Sequence, residues 1–310
     1  MHVSHGLSQF KRLPNAVVTS GTFDGVHLGH QKILARLTEA AAAAGGESVV
    51  ITFFPHPRTV VSADSQALKL LSTLEEKIEL LSLQGVQHLL VIPFTRDFSL
   101  FSSEEFIQNI LLDTIGTHTL VIGYDHRFGR NREGGFEYLS ANAERYGFKI
   151  EEIPRQDIDR IAISSSQIRA ALLAGQVGMA AQSLGRNYTL SGVVVKGRQL
   201  GRTIGYPTAN LEIHEDYKLV PADGVYAVRV QWKKAWYGGM LSIGTNPTLD
   251  GTLRTIEVNI FDFDHEIYGE KLTLDFVAWL RAQVKYDGLG PLTVQIGQDK
   301  IDSQRILGNC

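Results

Sequence analysis

The chain has 310 residues, 44% of them hydrophobic, and a formal net charge of −3. That is about two ordinary domains with enough apolar content for packed cores, and it excludes disordered and fibrous classes. There is no basic footprint for nucleic acid, no apolar run near the roughly eighteen residues of a membrane span, and no apolar signal core in Met1-His2-Val3-Ser4-His5-Gly6; the sole cysteine is Cys310. The expectation is a cytoplasmic chain with no membrane or nucleic-acid partner, no intrachain disulfide and no cysteine metal cluster, which must meet anionic substrates through local sites.

In chain order, Ala16-Val17-Val18-Thr19-Ser20 reads as a buried strand, and Gln31 to Leu37 carries helical spacing. Between them, Gly21-Thr22-Phe23-Asp24-Gly25-Val26-His27-Leu28-Gly29-His30 is a strand-to-helix turn. Its glycines let backbone amides approach a ligand, and the helix start offers unpaired N–H groups and the positive end of a dipole. His27 and His30 share a face once the helix has begun. Two imidazoles over a phosphate suggest phosphoryl or nucleotidyl transfer. A zinc half-site would need further ligands that nothing nearby supplies convincingly; a purely structural turn is the other alternative.

The alanine run to Ala44 stops at Gly45-Gly46, and Ser48 to Phe54 reads as the next strand, giving a βαβ unit. It leads into Pro55-His56-Pro57-Arg58, a stiffened loop at the carboxyl end of a strand, where open α/β sheets bind ligands. Ser72-Thr73 with Glu75-Glu76 opens a helix, Gln87 to Phe94 is a strand, Ser102-Ser103-Glu104-Glu105 opens another helix, and Thr119 to Gly123 is a further strand. The alternation predicts a doubly wound parallel sheet over about 150 residues. The loop from Tyr124 to Gly135 combines an aromatic with three arginines, and Ser164-Ser165-Ser166-Gln167-Ile168-Arg169 puts hydroxyls and a guanidinium at a helix start. Each reads equally as a site or as an ordinary solvated loop and N-cap.

From Tyr188 the character changes to short alternating segments, among them Val225 to Val230, Gly239 to Ile243 and Ile256 to Ile260. These predict an antiparallel barrel or sandwich, closed by a helical stretch over 291–301. Lys196-Gly197-Arg198-Gln199-Leu200-Gly201-Arg202-Thr203-Ile204-Gly205-Tyr206-Pro207-Thr208-Ala209-Asn210 is a cationic, glycine-rich loop that can wrap phosphates but lacks a P-loop ending. On a strand, Thr208 and Asn210 would present two hard oxygen donors to one side, suitable for magnesium.

Taken together these segments resemble the bifunctional riboflavin kinase/FMN adenylyltransferases of bacteria. Gly21 to His30 is similar to that family's Gly-x-Phe-Asp-Gly-Val-His-x-Gly-His signature, Phe53 to Pro57 to its Phe-x-Pro-His-Pro loop, and Ser164 to Arg169 to its Ser-Ser-Thr-x-Ile-Arg motif. Gly201 to Asn210 is similar to Gly-Arg-x-Leu-Gly-Phe-Pro-Thr-Ala-Asn. The resemblance implies an HxGH-type nucleotidyltransferase domain over 1–183 and a β-barrel riboflavin kinase domain with a C-terminal helix over 184–310. It implies ATP-dependent phosphorylation of riboflavin to FMN, then adenylylation of FMN to FAD and pyrophosphate.

It also implies residue roles. In the first domain His27 and His30 are catalytic, Gly21, Phe23, Gly29, Ser164, Ser165, Ser166 and Arg169 bind ATP, and Pro55, His56, Asp125 and Arg127 lie on the FMN side. In the second, Glu257 is the catalytic base, Lys196, Gly197, Gly201, Arg202, Gly205 and Pro207 bind ATP, Thr208 and Asn210 hold Mg2+, and Arg281 faces the flavin. ATP is a co-substrate, FMN and FAD are product ligands, and the chain is expected to be a monomer or a weak homo-oligomer. Three departures from the pattern stand out: His126 replaces the commoner Phe, Ser166 the commoner Thr, and Ala282 an acid.

Overall fold

In a computed structural model of the chain, residues 1–62, 68–123, 126–130, 133–153, 163–197, 200–248 and 251–308 are described. Alternation along the N-terminal strands sorts their side chains onto two faces. Val18, Ile51, Leu90, Leu120 and Ile122 join Phe106, Ile107, Ile110 and Leu111 in one cluster. Val17, Val50, Leu89, Val91 and Val121 join Leu34, Leu37 and Leu81 in another. A sheet apolar on both faces must be covered on both faces, which is the doubly wound arrangement.

The strands are β1 (His2–His5), β2 (Ala16–Ser20), β3 (Ser48–Phe54), β4 (His88–Pro93), β5 (Thr117–Gly123) and β6 (Lys149–Ile153). They form one six-stranded sheet in the order β1-β4-β3-β2-β5-β6, and every pairing is parallel. The order turns at β2, so the loop after β2 opens at the crevice where such sheets receive ligands. Among the described residues, four longer helices accompany the sheet, beside short ones at Pro57–Val61 and Arg96–Ser99. The longer ones are α1 (Leu28–Ala43), α2 (Leu74–Leu83), α3 (an α-turn Ser103–Glu105 passing into π-winding over Phe106–Ile115) and α4 (Phe136–Tyr146). α2 starts with a reciprocal capping box between Thr73 and Glu76, and α3 with another between Ser102 and Glu105. The strands and helices expected from periodicity are present; β1, α4 and β6 are additional.

The second half is a closed antiparallel barrel, order β10-β11-β8-β7-β12-β9. Its strands are β7 (Tyr188–Val195), β8 (Ala209–Glu212), β9 (Gly224–Trp232), β10 (Ala235–Thr248), β11 (Gly251–Ile260) and β12 (Lys271–Arg281). Tyr188, Leu190, Tyr226, Val228, Leu274 and Phe276 fill its interior, each at most 2% exposed. Among the described residues the longer helices of this half are α5 (Ser165–Leu173), α6 (Val177–Leu184) and α7 (Leu289–Leu307), with a single turn at Leu200–Thr203. Leu307 of α7 packs on Ala227, Met240 and Phe261.

Packing divides the chain into compact units Met1–Ser165 and Ser166–Cys310. The change in sequence character comes later, at 184, because α5 and α6 are helical yet pack with the barrel: the Ala222 amide donates to the Leu172 carbonyl at 3.0 Å, and Gly175 lies against the Trp279 indole.

Thr73→Ala removes one arm of the α2 capping box and should lower the stability of the first unit by about 1 kcal/mol. The expected readout is a lower urea midpoint at unchanged m-value, with Thr73→Ser close to the parent.

Candidate active sites

The turn from Gly21 to His30 owes its shape to buried polar contacts. Asp24, 2% exposed, accepts the Leu71 and Ser72 amides through Oδ1 at 2.9 and 3.2 Å, while the Gly25 amide donates to the Ser72 hydroxyl at 3.1 Å. The backbone enters the left-handed region at Phe23 (φ 47°), Gly25 (φ 79°) and Val26 (φ 40°). Glycine accepts this freely, but for phenylalanine and a β-branched valine it costs on the order of 1–2 kcal/mol each. Both side chains are buried in the core beside α1, and the Val26 carbonyl accepts from Nε2 of the Gln31 side chain at 2.9 Å. Such burial contributes about 2 kcal/mol per side chain, the same order as the strain it opposes.

His27 is the N-cap of α1: its Nδ1 accepts the His30 amide at 3.4 Å. The two imidazoles stack with centroids 3.6 Å apart, and Phe23 meets His30 edge-on at 5.1 Å. Gly29 leaves room for this stack, since a Cβ there would lie 3.2 Å from the His27 ring. His30 titrates well below 6.5, first because burial disfavours its charged form, then because His27 and Lys77 repel it. Its Nδ1 is buried without a hydrogen-bond partner, a polar atom that the protein itself leaves unsatisfied.

The Ser165 hydroxyl donates to the Asp24 carbonyl at 3.1 Å, and Ser164 is exposed. Ser166 and Arg169 belong to the second unit, where Arg169 donates to the Ser166 hydroxyl at 3.3 Å. His56 is buried and caps the short helix Pro57–Val61 by accepting the Arg58 amide, whereas Pro55 is exposed. His126 meets the Ser20 hydroxyl at 2.9 Å, which ties the ends of β5 and β2 together; Arg127 is exposed and lies over Gly135. Asp125 lies outside the described residues.

In the barrel, Glu257 on β11 is the register partner of Asn210 on β8, and its carboxylate accepts the Thr208 hydroxyl at 3.2 Å. The β8–β11 pairing thus brings Glu257 beside two oxygen donors, Thr208 and Asn210, that lie far from it in sequence. Gly197 packs on Asn210 so closely that a Cβ would come within 2.1 Å of its amide nitrogen, and a Cβ on Gly201 would lie 2.2 Å from the Tyr206 carbonyl. Gly205, at φ 83°, turns the chain ahead of Pro207. Lys196 lies over the Tyr268 ring at 5.9 Å, and Arg202 is exposed. Lys196, Gly197, Asn210, Arg254 and Glu257 line a cavity of about 630 Å³.

Arg281 pairs with α7: Nε and Nη2 both donate to the Asp299 carboxylate, at 2.9 and 2.7 Å, which raises its pKa further. Two supporting residues carried no motif signal. Asn259, two places beyond Glu257 on β11 and 6% exposed, donates to the Pro207 carbonyl at 2.7 Å and anchors the loop; strand alternation from Glu257 would have found it. Asp299 lies in a different element from its arginine, so nothing local marks it.

Two family models match the chain: FAD synthetase over residues 9–167 and riboflavin kinase over residues 184–307. A protein of Listeria monocytogenes named bifunctional riboflavin kinase/FMN adenylyltransferase is 38% identical over 94% of this chain and 92% of its own length. A Bacillus subtilis protein of the same name is 34% identical over 100% and 98%. A Streptococcus pneumoniae crystal structure, described as a macrolide-efflux protein, superposes with a TM-score of 0.88 at 30% identity, covering 98% of this chain and 99% of that one. Its description names a transport activity, but among the described residues here no helix is long and apolar enough to cross a membrane.

His30 should titrate well below its ordinary value in the ligand-free protein. Because the unfolded chain then takes the proton first, this residue lowers stability as the pH falls below its ordinary value of 6.5. An NMR titration of the imidazole Hε1 resonances is expected to give its midpoint well below that value; a midpoint at or above it contradicts the arrangement.

Proposed function

The chain belongs to the family of bifunctional riboflavin kinase/FMN adenylyltransferases and carries out both steps, riboflavin to FMN and FMN to FAD, and we propose that the two constellations above are the two reaction sites. The supporting observation is that each family model covers a segment with its own cluster of phosphate- and oxygen-handling residues. On this reading an adenylyltransferase domain spans 1–183 and a kinase domain 184–310, both working in the cytoplasm as a monomer or weak homo-oligomer without nucleic acid.

In the first domain the FMN phosphate is the nucleophile and is already anionic, so no strong base is needed. Catalysis is positioning plus stabilisation of charge at the α-phosphorus. His27 and His30 meet the ATP phosphates, and the amides near Gly21 and Gly29 complete the cradle. Ser164, Ser165, Ser166 and Arg169 hold the phosphates that leave as pyrophosphate. The orphaned His30 Nδ1 supports this assignment, as does the preformed, strained turn. Pro55, His56, Asp125 and Arg127 line the FMN side. His126 is engaged with Ser20, so the departure from Phe acts at the sheet edge of that subsite.

In the second domain the ribityl 5′-hydroxyl is a poor nucleophile at neutral pH, and Glu257 orients it and accepts its proton. The glycines at 197, 201 and 205, with Lys196, Arg202 and Pro207, wrap the ATP phosphates. The Thr208 hydroxyl and the Asn210 carboxamide are hard oxygen donors at the start of β8, a pair that fits Mg2+ with its waters, and the β11 pairing holds the Glu257 carboxylate beside them. Mg2+, when bound by Thr208 and Asn210, supplies neutralisation of the transferring phosphate's charge. Arg281 braces the flavin-side strand against α7 through Asp299 and faces the flavin from there.

Incubation with riboflavin and Mg-ATP should yield FMN and then FAD, resolved by chromatography. Glu257→Gln is expected to lower riboflavin phosphorylation by about 10²-fold or more while leaving added FMN convertible to FAD. His27→Ala should do the reverse. Loss of both activities in either variant would contradict separate sites.

A further inference from the structure

One buried charge has no part in either reaction as described. Lys77, on α2, is 4% exposed, and its ammonium lies 3.5 Å from the Thr52 hydroxyl at the end of β3. That hydroxyl donates to the Thr22 carbonyl at 3.3 Å, within the Gly21–His30 turn. Asp24 of the same turn is the countercharge. Among the described residues, the titratable groups coupled to Lys77 are Asp24 of the turn and His30 of α1, and β3 presents the uncharged Thr52. Burial pulls the lysine from its ordinary 10.5 down to about 8, with Asp24 opposing. A leucine or methionine would fill this helix position without that cost, so a lysine here has a use beyond packing.

We propose that Lys77 is a positioning residue for adenylyl transfer: its ammonium, held beneath the Gly21–His30 turn, anchors Asp24 and, through Thr52, the Thr22 carbonyl. The turn thereby keeps the shape in which its amides and imidazoles meet the triphosphate. This rests on the assignment of His27 and His30 to the ATP phosphates. Lys77 itself does not touch the nucleotide.

Stability and activity should then move in opposite directions. Between about pH 8 and the unperturbed 10.5 the unfolded chain keeps a proton that the folded one has lost, so stability contributed at Lys77 rises with pH across that window. A lysine that only filled space would leave adenylyl transfer steady or improved there. A lysine that anchors the turn by its charge makes it fall.

The test uses the full-length protein. kcat/KM for ATP in FMN adenylylation is followed from about pH 7 to about pH 10, where the substrate phosphates are already ionised. Riboflavin phosphorylation and thermal unfolding are followed in parallel. The wild type should lose about tenfold per pH unit above about pH 8, mainly through KM, without loss of thermal stability. Lys77→Met should cost about tenfold at neutral pH and flatten the alkaline limb, with riboflavin phosphorylation unchanged. Lys77→Arg, whose charge does not titrate in this range, should retain activity past the break. A flat wild-type profile, or an alkaline limb that persists in Lys77→Arg, overturns the proposal; these two proteins carry the test if Lys77→Met does not fold. Undiminished adenylylation in His27→Ala would instead overturn the assignment of the phosphate site, whatever Lys77 does.

Discussion

The shape of the Gly21–His30 turn, and with it the proposed phosphate site, depends on one carboxylate that faces inward. Asp24 spends Oδ1 on two backbone amides from the segment before α2, so the turn is held from behind while its front is left for a ligand. Only with that hold can Phe23 and Val26 stay in a backbone region that their side chains disfavour. The parallel sheet places the turn at the point where strand order reverses, and α1 begins within it, so topology, dipole and strain converge on the same few amides.

The barrel solves a different problem. The Glu257 carboxylate and the two polar side chains beside it, Thr208 and Asn210, are brought together by the pairing of β11 with β8, and register decides that Asn210 stands opposite Glu257. A shift of one residue would turn both side chains to the other face. Asn259 guards against slippage of the loop that follows the same register, holding the Pro207 carbonyl. The smallness of Gly197 is part of the same device, because the Asn210 carboxamide occupies the space a side chain would take.

Much of this was legible in the chain because it is locally written. β2, β3, β4 and β5 are apolar runs, α2 announces itself through Thr73 and Glu76, and the alternation of β9, β10 and β11 is plain. β1 was not legible: His-Val-Ser-His has no apolar run, and it becomes a strand by pairing with β4 at the sheet edge. β6, Lys-Ile-Glu-Glu-Ile, is likewise an edge strand whose polar residues conceal it. α5 and α6 read as helices, but which core they join depends on tertiary packing. Lys77 reads as one more polar position on an amphipathic helix, since its countercharge lies more than fifty residues earlier. Glu257 shows in sequence only as a polar residue in an alternating strand, and its role came from the family resemblance.

His27 serves as the cap of α1 through Nδ1, and this settles a question of tautomer. With that nitrogen accepting a hydrogen bond, the neutral ring carries its proton on Nε2, so its outer edge is a donor rather than a lone pair, as the proposed phosphate contact requires. The same economy disfavours a transition metal, which would need the unprotonated nitrogen and would have to unseat the cap to obtain it. On the proposed reading, the first turn of the helix favours oxyanions over cations by deciding where a single hydrogen resides.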